Sequence, residues 1–221
     1  MRFDIITIFP KIFDSYFNES ILTRAQENKL IEIKVHNLRD YTEDKHKTVD
    51  DSPYGGGPGM VMKADVIVKA IEKVASNKKQ ETSKTKVILF SPAGKKFDNK
   101  MAASWAKKYN HLILVPARYE GMDERVKKVF KAEEISIGPY VLTGGEVPAM
   151  VVVDAVSRQL KGVLGKEESL EEKRHGIGVP MYTRPEVLEY KGKKYKVPPV
   201  LLSGNHKKIA EWRNKNSASK G

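Results

Sequence analysis

The stretch Lys86-Val87-Ile88-Leu89-Phe90-Ser91-Pro92-Ala93-Gly94 decides the fold class. Val87 to Phe90 is an unbroken apolar run and Ser91 to Gly94 a turn, and a short strand apolar on both faces belongs in a sheet covered on both sides. The same rhythm returns twice. Leu112 to Val115 precedes Ala117-Arg118-Tyr119-Glu120-Gly121, and Ile135 to Ile137 precedes Gly138-Pro139-Tyr140-Val141-Leu142-Thr143-Gly144-Gly145-Glu146. Helical sequence from Asp98, from Met122 and from Glu146 fills the intervals, with Asp98 and Asp123 placed to cap or charge two helix starts. Short buried strands alternating with helices specify an α/β domain whose mostly parallel sheet is flanked by helices.

Upstream, Arg2 to Phe9 is a β-branched run stopped by Pro10, and Ile31 to Val35 alternates like a second strand. Lys63 to Ala75 has helical spacing, with Val66, Ile67, Ala70, Ile71 and Val74 in one apolar stripe, and the polar stretch Asn77 to Lys84 follows it. Arg39 to Met62 is too long for a plain connection and is expected to be a functional loop. Beyond Leu160 the rhythm dissolves. The boundaries that follow are an α/β domain over 1–161, a charged, glycine-punctuated linker over 162–178, and a short C-terminal region over 179–221 ending in a helix near His206 to Trp212.

The 221 residues carry 40 Lys plus Arg against 28 acids, a net +12 that favours a polyanionic partner through counterion release. The C-terminal part is the more basic: up to Gln159 there are 26 basic and 21 acidic side chains, and beyond it 14 and 7. Nucleic acid leads the partner list, although a lysine-rich composition raises any isoelectric point. No apolar run approaches the ~18 residues of a membrane span, and Met1-Arg2-Phe3-Asp4-Ile5-Ile6 has no leader pattern, so a cytoplasmic protein with no membrane partner is expected. With no cysteine, disulfides, thiolate nucleophiles and Cys-ligated zinc are excluded.

Four glycines fall within Gly55-Gly56-Gly57-Pro58-Gly59, next to Asp50-Asp51. Surface turns share such glycine clusters, and this one lacks the spacing of a phosphate loop. The adjacent carboxylates could accept N–H groups of a nucleobase. Three loops that each follow a parallel strand can converge on one pocket beyond the strand ends, and their Gly and Pro content suits a ligand held by backbone rather than by charge. Asp154 and Arg158 stand four apart, the spacing of an ordinary intrahelical pair. His36, His46, His111, His175 and His206 show no metal-ligand spacing, and no metal is assigned. Tyr190 to Lys196 interleaves Lys and Tyr, which suits RNA stacking or a plain solvated hairpin.

Read together, the string from His46 to Met60, Arg118 to Arg125, Ser136-Ile137-Gly138, Val141 to Ala149, Gly162 to Gly165, Tyr182 to Glu186 and Pro198 to His206 closely resemble the bacterial tRNA (guanine-37-N1)-methyltransferase family. The match runs in order from residue 1 to about 213. The resemblance implies a SPOUT α/β fold with a deep C-terminal trefoil knot and a homodimer whose active site is shared between subunits. It implies S-adenosylmethionine as methyl donor and tRNA as substrate, methylated at guanine 37 to maintain the reading frame. Donor contacts carry over to Leu89, Phe90, Ser91 and Pro92; to Ala117, Tyr119, Glu120 and Gly121; and to Ile137, Gly138, Pro139, Tyr140, Val141 and Leu142 with Gly144 and Gly145. Asp50, Gly55, Gly59 and Glu120 match positions that meet the guanine. Mg²⁺ is also implied, with no motif here to hold it.

N1 of guanine carries a proton at neutral pH, so methyl transfer needs a base at N1 and positive charge near O6. Arg158 matches the family's catalytic arginine, displacing the intrahelical reading. The family's general-base aspartate is here Lys173, which leaves Glu172 or Glu171 as the expected base. That departure carries the alternative of a non-catalytic or weakly active homologue. Ala117, Pro139 and Ser52 are further departures, and relatives are expected to continue through more C-terminal helices than the 221 residues here.

Overall fold

In the computed structural model, residues 1–76, 84–165 and 178–217 are described. Five strands form one parallel sheet: β1 (Arg2–Thr7), β2 (Glu32–Asn37), β5 (Thr85–Lys96), β6 (His111–Val115) and β7 (Glu133–Ser136). Their order is β2-β1-β6-β5-β7, so the first strand of the chain lies inside the sheet. Two further strands of two residues each, β3 (Asp50–Asp51) and β4 (Val61–Met62), pair antiparallel.

The sheet is covered on both faces, as its apolar strands require. On one face α1 (Asp14–Phe17), α2 (Ser20–Glu27), α4 (Asn99–Lys108) and α6 (Glu146–Ser157) pack over Phe3, Ile5, Ile88 and Leu114. On the other, α3 (Ala64–Ser76) and α5 (Arg125–Phe130) cover Ile6, Leu89, Ile113 and Val115. The α3 stripe expected from spacing, Val66, Ile67, Ala70, Ile71 and Val74, is buried throughout. Asp98 caps α4 by accepting the Met101 N–H at 2.7 Å.

Two elements differ from the sequence reading. The helix expected from Met122 starts at Arg125, because Met122 bridges to Met62 and the Asp123 N–H donates to the Met62 carbonyl at 3.1 Å. Asp123 nevertheless accepts the Arg125 N–H at 2.9 Å. The strand expected to end at Phe90 runs on to Lys96: its register on β7 shifts between Phe90 and Lys95, so Ser91 to Gly94 bulge out and pairing then resumes.

The chain divides into two compact units, Met1–Val163 and Leu164–Gly221. In the second, Val187–Tyr190 and Lys193–Lys196 form an antiparallel hairpin, followed by helices Pro199–Leu202 and His206–Lys215. Cross-strand pairing puts Leu188 with Tyr195 and Tyr190 with Lys193 on one face. Leu188, Tyr190 and Tyr195 are all exposed there.

Candidate active site

The bulge within β5 and the loops that follow β6 and β7 enclose a cavity of about 280 Å³. Fourteen of the sixteen residues expected to touch the donor line it, from Phe90, Ser91 and Pro92 through Ala117 and Tyr119 to Gly144 and Gly145. Leu89 does not; it is buried in the core below. Pro139 is likewise absent from the lining, although Gly138 and Tyr140 on either side belong to it.

The loops close on one another so tightly that side chains are excluded. A Cβ on Gly145 would lie 2.7 Å from the Ala117 nitrogen, and one on Gly94 would lie 2.6 Å from the Ile135 backbone. Gly145 N–H donates to the Ala117 carbonyl at 2.8 Å. Among the described residues, Arg118 is the single Lys or Arg lining the cavity, and its Nε donates to the Glu146 carboxylate at 2.9 Å. The cavity therefore offers no free cation to a phosphate. It does offer backbone groups, apolar walls and the Glu120 carboxylate, which suit a methyl donor with no phosphate and a cationic sulfur.

The glycine-rich loop is rooted beside this cavity. At its base β3 pairs with β4, Met62 N–H donates to the Gly121 carbonyl at 3.0 Å, and Glu120 N–H donates to the Met60 carbonyl at 3.0 Å. The Glu120 side chain lies on Gly59, where φ is +86° and a Cβ would stand 2.6 Å from its Cγ. Gly55, at φ +89°, has nothing within 4 Å of a Cβ and sits at the open end of the loop. The Tyr119 phenol titrates above its ordinary value, through burial and then through the charge and hydrogen bonding of Asp50, with Arg39 acting in the opposite sense. Asp50, Gly59, Glu120 and Tyr119 are thus gathered at one rim of the cavity.

Arg158 is not. It is the C-cap of α6, whose start meets the cavity at Gly145 and Pro148, so it stands ten residues or more, at least about 15 Å, down the helix axis. Its N–H donates to the Asp154 carbonyl at 3.0 Å, while the Asp154 carboxylate accepts the Tyr16 hydroxyl at 2.5 Å. Glu171 and Glu172 lie outside the described residues, as does Lys173. Among the described residues no cluster of three or more His, Asp or Glu could hold a metal, and no helix is long and apolar enough to cross a membrane.

A model of the tRNA (guanine-1)-methyltransferase TrmD family matches residues 1–221. The chain belongs to this family. A tRNA (guanine-N(1)-)-methyltransferase of Dictyoglomus turgidum is 54% identical over 223 residues, spanning all of this chain and 86% of the relative. Others of the same name from Thermomicrobium roseum and Ruminiclostridium cellulolyticum are 53% and 48% identical, covering 96% and 98% of the chain and 77% and 91% of their own lengths.

For a member of this family, two parts of the site were invisible in sequence. Arg39, far from the motif that holds Tyr119, meets it through the fold. The second is the environment of Arg118, whose partner Glu146, at the start of α6, also accepts the hydroxyl of Thr7 at the end of β1. Glu146 is an acid in the first turn of α6, and its pairing with Thr7 and Arg118 is set by the fold rather than by sequence spacing.

Proposed function

We propose that the chain transfers a methyl group from S-adenosylmethionine to N1 of guanine 37 of tRNA, in the cytoplasm, in service of reading-frame maintenance. The observation that carries this reading is the junction at Glu120. One side chain lines the donor cavity and also lies on Gly59 of the loop expected to meet the guanine. Bound in the cavity, the donor supplies an electrophilic methyl group on a positively charged sulfur. The chain's own groups do the rest: the three loops hold and bend the donor, Asp50 and the backbone at Gly55 and Gly59 orient the base, and a carboxylate accepts the N1 proton. That base is Glu172, or its neighbour Glu171. Arg158 stabilises negative charge that develops at O6. The Mg²⁺ implied by the resemblance is assigned no ligands.

Since Arg158 is a helix length from the cavity of its own chain, this reading makes the protein a homodimer in which Arg158 serves the partner's cavity. Exposed Ile12, Val147 and Val151 supply apolar surface for that contact. The trefoil knot belongs to the same reading, supported by the interleaving of loops at Gly94 and Gly145. In the C-terminal unit the exposed Tyr190 and Tyr195, with Lys193 on the same face, suit unpaired nucleotides of the tRNA. The names of the relatives favour catalysis over a non-catalytic homologue. The test is transfer of labelled methyl to unmodified tRNA transcripts, followed by nucleoside analysis. Label in 1-methylguanosine is expected; label in a ribose-methylated nucleoside, or none, would overturn the reading.

A further inference from the structure

We propose that Glu146 is a positioning residue for the donor cavity, acting through Arg118; this rests on the reading of that cavity as the S-adenosylmethionine site. The Glu146 side chain is 2% exposed yet charged. One of its oxygens accepts the Thr7 hydroxyl at 3.0 Å and the other accepts Arg118 Nε at 2.9 Å. Arg118 Nη1 in turn donates to the Thr143 carbonyl at 3.0 Å, and the guanidinium stacks 4.8 Å from the centroid of Phe9. Thr7 Oγ1 also accepts the Phe9 N–H at 3.0 Å.

A single buried carboxylate thereby ties the end of β1 to the loop after β6 and to the loop before α6. The last two both line the cavity. The sequence makes room for the tie, since a Cβ on Gly144 would stand 2.3 Å from Arg118 Nε and 2.6 Å from Glu146 Oε2. A buried ion pair adds little net stability over a packed apolar pair, but it fixes geometry, because the planar guanidinium must meet the Glu146 carboxylate with Nε and the Thr143 carbonyl with Nη1 at once. Arg118 is occupied on three sides and acts by where it holds the walls rather than by its charge on the ligand.

The experiment compares Glu146→Gln, Arg118→Lys and Thr7→Val with the wild type. It reads calorimetric affinity for S-adenosylmethionine, thermal midpoint, and KM for donor and for tRNA separately. Glu146→Gln removes the carboxylate's charge while keeping one oxygen for Arg118 Nε, and Arg118→Lys keeps charge but loses the fork. Both are expected to weaken donor binding about tenfold and raise the donor KM, with the tRNA KM unchanged. Thr7→Val removes only the outer arm, and a smaller loss in the same direction is expected from it; it carries the test if Glu146→Gln does not fold. Folded variants that bind donor as tightly as the wild type overturn the positioning role while leaving the site reading intact. A wild type that binds no S-adenosylmethionine overturns the site reading itself. Equal rises in both KM values would show a general structural defect and also overturn the proposal.

Discussion

Asp4 has no exposed surface and sits mid-strand in β1, where its carboxylate is bonded to Arg2 and to Nε2 of both His36 and His111 at 2.6 Å. Burial alone would raise its pKa, but the hydrogen bonds from His111, His36 and Arg2 outweigh it and hold the group well below the usual carboxylate range. A depressed folded-state value means stability that is present above the unfolded value of about 4 and is lost as pH falls below it. Asp4→Asn is expected to cost roughly 2–4 kcal/mol at neutral pH and to flatten that acid limb. Denaturant titrations from pH 7 to pH 3 decide it; a mutant limb as steep as the wild type's would refute the assignment. None of this was legible beforehand. Asp4, His36 and His111 are scattered in sequence, and they meet only through the register that sets Arg2 beside His111 and Ile6 beside His36. On the proposed reading, in which Arg158 acts on charge that develops in the transition state, Arg158→Ala is expected to abolish methyl transfer while leaving donor affinity unchanged. Glu172→Gln is expected to slow single-turnover transfer by about 10²- to 10⁴-fold. If Glu171→Gln is the slow variant instead, the base moves by one residue; if neither is slow, Asp50 becomes the next candidate.

Between elements, the glycines divide into two kinds, which substitution separates. Gly145 has an ordinary φ of −87°, so Gly145→Ala brings no backbone strain, but its Cβ would strike the backbone of Pro116 and Ala117 at 2.7 Å. That backbone cannot swing aside. Loss of donor binding and a lowered thermal midpoint are expected together. Gly55→Ala is the reverse case, with open space around it but φ at +89°. A strain of about 1–2 kcal/mol in a loop tip is expected to leave calorimetric donor affinity as it was. The three cavity loops were legible in sequence because each follows a short apolar strand, and turn residues after buried strands are a strong local signal. The continuation of β5 past its bulge was not, since Lys95 and Lys96 carry no strand pattern and pair only because β7 lies there. The two-residue pairing of β3 with β4 was equally hidden: it is too short for periodicity to register.

For the whole molecule, the net charge of +12 and a cavity whose arginine is already paired and which is walled mainly by backbone and apolar groups predict different salt responses for the two substrates. Affinity for tRNA is expected to fall steeply from about 50 to 200 mM salt, with a log–log slope of about −0.7 per single-stranded phosphate contact, while donor affinity stays flat. Anisotropy titrations with labelled tRNA, set beside donor calorimetry, measure both; a salt-sensitive donor site would contradict a cavity whose one arginine is already paired. At this scale composition was informative about partner class and silent about strand order, because charge counts carry no topology. That order has a consequence for synthesis. Arg2 pairs with Glu32 on one side and with His111 on the other, so the first strand made needs a neighbour made more than a hundred residues later. At about 5–20 residues per second, the nascent chain holds the edge of its opening strand unsatisfied for roughly 5–20 s before β6 leaves the ribosome. During that interval the N-terminal third is a natural client for a chaperone at the tunnel exit.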